Sequence, residues 1–102
     1  MPISGKRYKF TKENVDKAPK KTGVFGLYDG DTLIFIGRAT EEGATLRTLL
    51  QDHQAGRGGD STQRATHYRR EESTASLSRE IELLAEHKAS FGGQPRANAG
   101  VG

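Results

Sequence analysis

The chain of 102 residues contains no cysteine, which excludes a disulfide framework and any metal site built on thiolates. Its apolar runs are too short for a signal peptide or a membrane-spanning helix. Tryptophan is absent and aromatic residues account for only 7% of the chain, so the protein can bury one modest core. These absences predict a single small domain in a soluble cytoplasmic protein that has no membrane partner.

The sequence also lacks the short motifs that identify several large enzyme classes. It has no phosphate loop of the form GxxxxGK[ST], no dinucleotide-binding GxGxxG, no HExxH and no GxSxG. Two glycine pairs, Gly58-Gly59 and Gly92-Gly93, are expected to interrupt secondary structure and not to bind phosphate.

Positive charge is in modest excess, with a formal net charge of +3, and it is unevenly distributed. A basic leader spans residues 1–22 and carries Lys6, Arg7, Lys9, Lys12, Lys17, Lys20 and Lys21. A second basic group surrounds His67 and consists of Arg57, Arg64, Arg69 and Arg70. Two interpretations stay open: a surface for the phosphate backbone of nucleic acid, or an ordinary solubilising surface.

The first half of the chain predicts a short helix followed by a β-hairpin. Thr11 is a suitable N-cap for a helix over residues 12–17, which Pro19 would end. The runs 23–29 and 32–37 are rich in β-branched and aromatic residues, and the Asp29-Gly30 pair between them favours a tight turn. The second run is apolar on both faces, with Leu33, Phe35 and Gly37 expected opposite Ile34 and Ile36. It is therefore predicted to be a central strand that is covered on both faces.

The second half predicts two helices separated by a strand. Residues 44–56 form a helical pattern that Gly56 would end, with one face made by Leu46, Leu49, Leu50 and His53. Residues 57–64 are expected to form a polar loop, and residues 66–74 contain a third strand. The last helix should begin at Ser76 or Ser78 and end at Gly92-Gly93, with one side made by Leu77, Ile81, Leu84 and Phe91.

This order of helix, hairpin, helix, strand and helix predicts a small α/β (α+β) fold. Its sheet should be three-stranded, mostly antiparallel and flanked by helices. Residues 99–102 are expected to form a frayed tail.

Three polar residues lie where chemistry is expected, and each has a second interpretation. Glu80, near the start of the last helix, would suit a divalent cation, although an acidic side chain there also favours the helix dipole. His53, at the end of the leucine face, is a candidate catalyst or a hydrogen-bonded boundary residue. Arg38 follows the hairpin glycine as a candidate phosphate clamp or an ordinary exposed residue.

An ordered set of short motifs resembles the GIY-YIG nuclease superfamily. GVF at 23–25 and FIG at 35–37 stand where that family has GIY and YIG, and FIG continues into Arg38 and Ala39. TLRTLLQDH, ATHY, the RE-x-x-LL of residues 79–84 and the P-x-x-N of residues 95–98 follow in order. The resemblance implies a domain over residues 23–98. It is strongest to small single-domain bacterial members and more distant to the nuclease module of the excinuclease C subunit.

The resemblance implies a metal-dependent endonuclease that hydrolyses phosphodiester bonds of DNA with Mg²⁺ or Mn²⁺. Glu80 matches the metal-binding glutamate, and the implied catalytic set is Phe25, Phe35, Arg38, His53, Glu80 and Asn98. Asn98 matches an asparagine that braces the cleft. Nucleic acid would be the partner, and the expected contact residues are Lys17, Lys20, Lys21, Arg38, Arg47, Arg57 and Arg64.

The chain departs from the family pattern at three positions that bear on catalysis. Phe25 and Phe35 replace two tyrosines, and Leu49 stands where the family has an arginine on the middle helix. Arg47 precedes Leu49 by two residues, so the two side chains are about 200° apart around that helix. Tyr28 points to the opposite face of its strand from Phe25. The alternative interpretation is therefore a catalytically weakened relative that binds nucleic acid or a protein without cleavage. Sharing of the lost roles by Arg38, His53 or Tyr68 stays open, as does a structural domain unrelated to nucleic acid.

Overall fold

The computed structural model of the protein describes residues 3, 5–40, 44–57 and 59–99. The strands in these ranges are β1 (Tyr8–Lys9), β2 (Gly23–Asp29), β3 (Thr32–Ala39) and β4 (His67–Glu72). The helices are α1 (Lys12–Asp16), α2 (Leu46–Gln54), α3 (Asp60–Gln63), α4 (Ser76–Phe91) and α5 (Arg96–Ala99). None of the helices described here has the length and apolar character needed to cross a bilayer. Ala99 ends α5, and the rest of the predicted tail, residues 100–102, lies outside the described residues.

The strands form one antiparallel sheet in the order β1-β4-β2-β3. The mixed α/β class is confirmed, but the expected three-stranded sheet is wrong because the sheet has four strands. The additional strand, β1, comes from the basic leader, and it pairs Tyr8 with Tyr68 and Lys9 with His67. The leader is thus part of the sheet, and its Val15 and Ala18 are fully buried in the core.

The prediction that residues 32–37 form a central strand is wrong, because β3 is the edge strand. β4 pairs with β2 on the other side, so β2 occupies the interior position. The expected covering of both faces is confirmed, since α2 packs against β3 on one side and α4 on the other, and it accounts for the apolar character of the strand. Ile34 and Ile36 are accordingly buried.

A β-bulge in the hairpin changes which side chains of β3 share a face. Leu27 pairs with Phe35 and Tyr28 pairs with Leu33, so Ile34 is an extra residue on β3. Ile34 therefore packs in the same cluster as Phe35, whereas Leu33 packs with Ile36. The strict alternation predicted for this strand is wrong at the bulge, and it holds for Phe35 and Gly37.

The sheet separates two apolar clusters. The larger one lies beneath α1 and α2 and includes Phe25, Leu27, Leu46, Leu50 and Tyr68. The smaller one lies beneath α4 and consists of Ile3, Val24, Ile36 and Leu83, with Tyr28, Leu33 and Leu84 packed against it. Outside the bulge, side chains therefore alternate along β2 and β3 between the α2 side and the α4 side.

The predicted helix boundaries are close to those observed. Thr11 caps α1 by accepting a hydrogen bond from the backbone N–H of Asn14 at 3.2 Å. Thr45 and Thr48 form a reciprocal capping box at the start of α2, and Gly56 follows its end with a φ of 87°. The polar segment 57–64 differs from its prediction, since it contains the short helix α3.

The face of α4 that meets the sheet matches the apolar side predicted from the sequence only at Leu84, which packs against the smaller cluster. Leu77, Ile81 and Phe91 are exposed, whereas Ser76 and Leu83 are buried. The helix does begin at Ser76, and it ends at Phe91, just before Gly92, which has a left-handed φ of 82°. Its orientation turns Glu80 toward the outer edge of the sheet.

Candidate active site

A cleft of about 330 Å³ opens at the outer edge of β3. It is lined by every residue of the catalytic set implied by the sequence, namely Phe25, Phe35, Arg38, His53, Glu80 and Asn98, together with Ile36, Gly37 and Leu49. These side chains come from two strands and three helices, so the fold brings together residues that are as far as 73 positions apart in the chain (25 to 98).

One wall of the cleft is aromatic. The ring centroids of Phe25 and Phe35 are 6.0 Å apart, and the His53 imidazole lies 5.6 Å from the first and 4.9 Å from the second. Gly37 makes this arrangement possible, because a Cβ at that position would lie 2.5 Å from Cζ of Phe25. The two rings therefore occupy the space that a side chain at Gly37 would fill.

The other wall holds a pair of opposite charges. Arg38 pairs in register with Val24, which belongs to the cluster beneath α4, so the arginine lies on the α4 side of the sheet. Its Nε is 3.5 Å from Oε1 of Glu80. Burial raises the pKa of the Glu80 carboxyl above its ordinary value, and the nearby Arg38 charge offsets part of that increase.

A second ion pair fixes the first turns of α4. Arg79 Nε donates to Oε1 of Glu71 on β4 at 2.6 Å, and Arg79 also bonds the Glu82 carboxylate. The guanidinium is largely buried, and it contacts both carboxylate oxygens of Glu71. Because Arg79 directly precedes Glu80, this ion pair fixes the turn of α4 that carries Glu80.

His53 extends from α2 into the aromatic wall. Its Nδ1 lies 2.9 Å from the hydroxyl oxygen of Thr62 in α3. Burial lowers the pKa of the imidazole below its ordinary value, and the Asp52 carboxylate offsets this only in part. The neutral form of the ring therefore predominates at pH 7, and in this form an imidazole nitrogen accepts a proton.

Asn98 lies in α5 and contacts the backbone of β3 directly. Its Oδ1 accepts a hydrogen bond from the N–H of Ile36 at 2.8 Å, and its Nδ2 donates to the carbonyl of Ile36 at 2.9 Å. The amide therefore binds β3 at a point between the aromatic wall and the charged wall of the cleft. It has the position of a bracing residue.

The basic residues expected to contact nucleic acid are dispersed. Arg38 lines the cleft, whereas Arg47 donates from Nε to the carbonyl of Ala18 at 2.6 Å. Lys17 and Arg57 form exposed ion pairs with Glu13 and Asp52, at 3.4 Å and 2.7 Å. Three others are exposed and make no ion pair within the described part of the chain: Lys20, Lys21 and Arg64.

Two residues, one that lines the cleft and one that supports it, are absent from the site set predicted from the sequence. Thr62, which contacts His53, lies in a segment that resembles a polar loop, and a single threonine there carries no local signal. Leu49 does line the cleft, while Arg47 does not appear among its lining residues. Arg47 therefore does not replace the arginine that the family pattern has at the position of Leu49.

The cleft offers a metal ion few ligands from the protein itself. Among the residues that the structure describes, no three histidine, aspartate or glutamate side chains form a ligand cluster. The carboxylate contributed to the cleft lining is that of Glu80. This is compatible with Mg²⁺, which commonly binds through one or two carboxylates while water and substrate phosphate complete its shell.

Comparison with known proteins adds no family assignment. No protein-family model matches the chain, and no curated protein matches its sequence.

Proposed function

We propose that this protein is a GIY-YIG-type endonuclease that hydrolyses phosphodiester bonds of DNA with a divalent metal ion. The observation that carries the proposal is the meeting of Arg38, His53 and Glu80 in one open cleft. A phosphate binder, a neutral proton acceptor and a carboxylate are the groups that metal-assisted phosphodiester hydrolysis requires. The ordered motifs of the sequence support the same reaction class.

The residues of the cleft have distinct proposed roles. Glu80 would hold the Mg²⁺ or Mn²⁺ ion, which when bound supplies Lewis-acid stabilisation of charge on the phosphate. Arg38 offers paired donors to a phosphate oxygen, and its charge offsets the negative charge that develops during hydrolysis. His53 accepts a proton from the attacking water, and Asn98 holds β3 in place.

The Phe25 and Phe35 rings make a wall without hydrogen-bonding groups. This wall directs the His53 imidazole toward the cleft, because the ring packs against both of them. Attraction of the DNA backbone would come from the exposed cations that have no ion pair among the described residues, Lys20, Lys21 and Arg64.

The test is cleavage of supercoiled plasmid by the purified protein in Mg²⁺ or Mn²⁺. We expect nicked and linear products, their loss in a chelator, and their loss in Glu80→Gln. The matched control is Glu72→Gln, which removes an exposed carboxylate at the end of β4 and should leave cleavage unchanged. Cleavage that is equal in wild type and Glu80→Gln would contradict the proposal.

A second candidate function is binding of nucleic acid, or of a protein, without cleavage. Three apolar side chains of the cleft favour it, since Phe25, Phe35 and Leu49 occupy positions at which the family pattern has phenols and an arginine. A general acid or base is typically worth roughly 10²- to 10⁴-fold in rate, so their loss weakens catalysis strongly.

This candidate predicts salt-dependent association with DNA and no products after long incubation. Lys20→Glu combined with Lys21→Glu should then weaken binding, whereas Lys88→Glu, on an exposed site of α4, is the matched control. Equal affinity of both variants would exclude the Lys20 and Lys21 surface as the binding site.

A further inference from the structure

We propose that Thr62 is a positioning residue that fixes the hydrogen of His53 on Nδ1 and so leaves Nε2 as the proton acceptor of the cleft. Its consequence for cleavage rests on the proposed function, but the tautomer itself does not. Thr62 is 0% exposed, although its side chain is polar. Buried hydroxyl groups are almost always hydrogen-bonded, so the partners of this one determine how it interacts with the half-buried imidazole.

Two contacts define the environment of the Thr62 hydroxyl. Its oxygen lies 2.9 Å from Nδ1 of His53 and 3.3 Å from the carbonyl oxygen of Gly59. A hydroxyl has one hydrogen to donate, while its oxygen accepts through lone pairs. A backbone carbonyl can only accept, so the Gly59 contact is a hydrogen bond only if Thr62 is its donor.

These constraints distinguish two arrangements. If Thr62 donates to Gly59, its oxygen accepts from an N–H on Nδ1, and both contacts are satisfied. If Thr62 donates to Nδ1, the Gly59 contact becomes a repulsion between two acceptors. The first arrangement makes two hydrogen bonds and the second makes one, so the structure favours a hydrogen on Nδ1.

The neutral ring then has its lone pair on Nε2. Within the described ranges Nε2 has no hydrogen-bond partner, and His53 lines the cleft that also holds Arg38 and Glu80. A lone pair at this nitrogen is what a general base needs in order to accept a proton from water. Thr62 acts on this step through His53, which packs against the aromatic wall.

The local backbone explains how a threonine reaches this place. Gly56 and Gly59 adopt left-handed φ values of 87° and 97°, and the N–H of Gly59 donates to the carbonyl of Gly56 at 3.1 Å. This tight turn returns the chain toward α2, so that α3 places Thr62 against His53. The polar segment after α2 thus supplies a support for the site.

The decisive experiment measures the tautomer directly, by long-range ¹H–¹⁵N correlation NMR on uniformly ¹⁵N-labelled protein at a pH at which the ring is neutral. We expect the wild-type spectrum to show His53 with its hydrogen on Nδ1. Thr62→Ser, which keeps the hydroxyl, should preserve this pattern. Thr62→Val, which has a similar shape and no hydroxyl, should lose it. A wild-type ring with its hydrogen on Nε2 would overturn the inference, whether or not any variant folds.

Plasmid cleavage provides the second readout. Thr62→Val should lower kcat by about 10²-fold with KM nearly unchanged, because only proton transfer is affected, and Thr62→Ser should restore the rate. If the wild-type protein shows the Nδ1 tautomer and cleaves nothing, the proposed nuclease function fails and the positioning of His53 stands. If it cleaves and Thr62→Val matches wild type in both kcat and tautomer, the role of Thr62 fails alone.

Discussion

The side-chain amide of Asn98 makes two hydrogen bonds with a single residue of the edge strand, Ile36. Oδ1 accepts from its N–H at 2.8 Å and Nδ2 donates to its carbonyl at 2.9 Å. An edge strand presents unpaired backbone groups, and the amide satisfies a donor and an acceptor as a neighbouring strand would. The backbone N–H and carbonyl of Ile36 are therefore both hydrogen-bonded at the point on β3 where the cleft begins.

Asn98→Asp should destabilise the protein, because a carboxylate accepts hydrogen bonds but has no hydrogen to donate to the Ile36 carbonyl. We expect a loss of about 1–3 kcal/mol in the free energy of unfolding, measured by urea denaturation, since two acceptors would face each other. The amide hydrogen of Ile36 should also exchange faster. The matched control is Gln94→Glu, the same chemical change at an exposed position outside the helices. Equal losses in both variants would show that the Asn98 contacts carry no stability.

Gly37→Ala should displace the aromatic wall. The added Cβ would lie 2.5 Å and 2.7 Å from two atoms of the Phe25 ring and 3.0 Å from Phe35, and Phe25 is too deeply buried to move freely. We expect a destabilisation of about 1–3 kcal/mol, the usual cost of overpacking. Gly93→Ala, where a Cβ would meet nothing within 4 Å, is the control. Combination with Phe25→Leu should recover part of the loss, and simple additivity of the two changes would contradict the steric explanation.

The parts of the fold that sequence predicts well are those with local signals. The hairpin, α1, α2 and the glycine that ends α4 follow from turn residues, caps and apolar periodicity. Strand β1 has no such signal, since two residues are too few for a pattern and its partner is about sixty positions away in the chain, Tyr8 with Tyr68. The position of β3 at the edge likewise depends on which strand of the hairpin β4 pairs with.

The candidate site was predictable for a different reason. Its motif residues stand in a characteristic order along the chain, and the fold places them around one cleft. The buried face of α4 was not predictable from its apolar residues, because the face toward the sheet includes Ser76 and turns Glu80 into the cleft while Leu77 and Ile81 stay exposed. A carboxylate on the covered side of a helix breaks the simple apolar pattern.

Removal of the Arg38 charge should raise the pKa of Glu80 further. Burial already raises the pKa of this carboxyl above its ordinary value of 4.5, and Arg38 is the group that lowers it in part. Between pH 4.5 and the folded-state pKa the folded protein binds more protons than the unfolded chain, so stability from this group falls as the pH rises. In Arg38→Gln we expect the ¹³Cδ titration of Glu80 to move to higher pH. Arg64→Gln, which removes an exposed arginine, should not move it.

His53 gives the opposite dependence of stability on pH. Burial lowers the pKa of its imidazole below the ordinary value of 6.5, so between these two values the unfolded chain binds more protons than the folded protein. Stability from this group is complete above pH 6.5 and falls as the pH decreases toward the folded-state pKa. We expect the free energy of unfolding of His53→Gln, measured by urea denaturation from pH 8 to pH 5.5, to improve relative to wild type as the pH falls. A constant difference across this range would contradict the prediction.

Restoring the missing polar groups is the sharpest test of whether the cleft is a weakened active site. Phe25, Phe35 and Leu49 all line it, so Phe25→Tyr, Phe35→Tyr and Leu49→Arg would add two hydroxyls and a guanidinium beside Arg38 and Glu80. We expect plasmid cleavage to increase by a factor of the order of 10² or more, because each general acid–base group is typically worth roughly 10²- to 10⁴-fold. The same triple variant with Glu80→Gln should be inactive, which excludes a gain from improved DNA binding alone. A folded triple variant without any increase in cleavage would mean that the scaffold does not place these groups for hydrolysis, and it would favour the binding function.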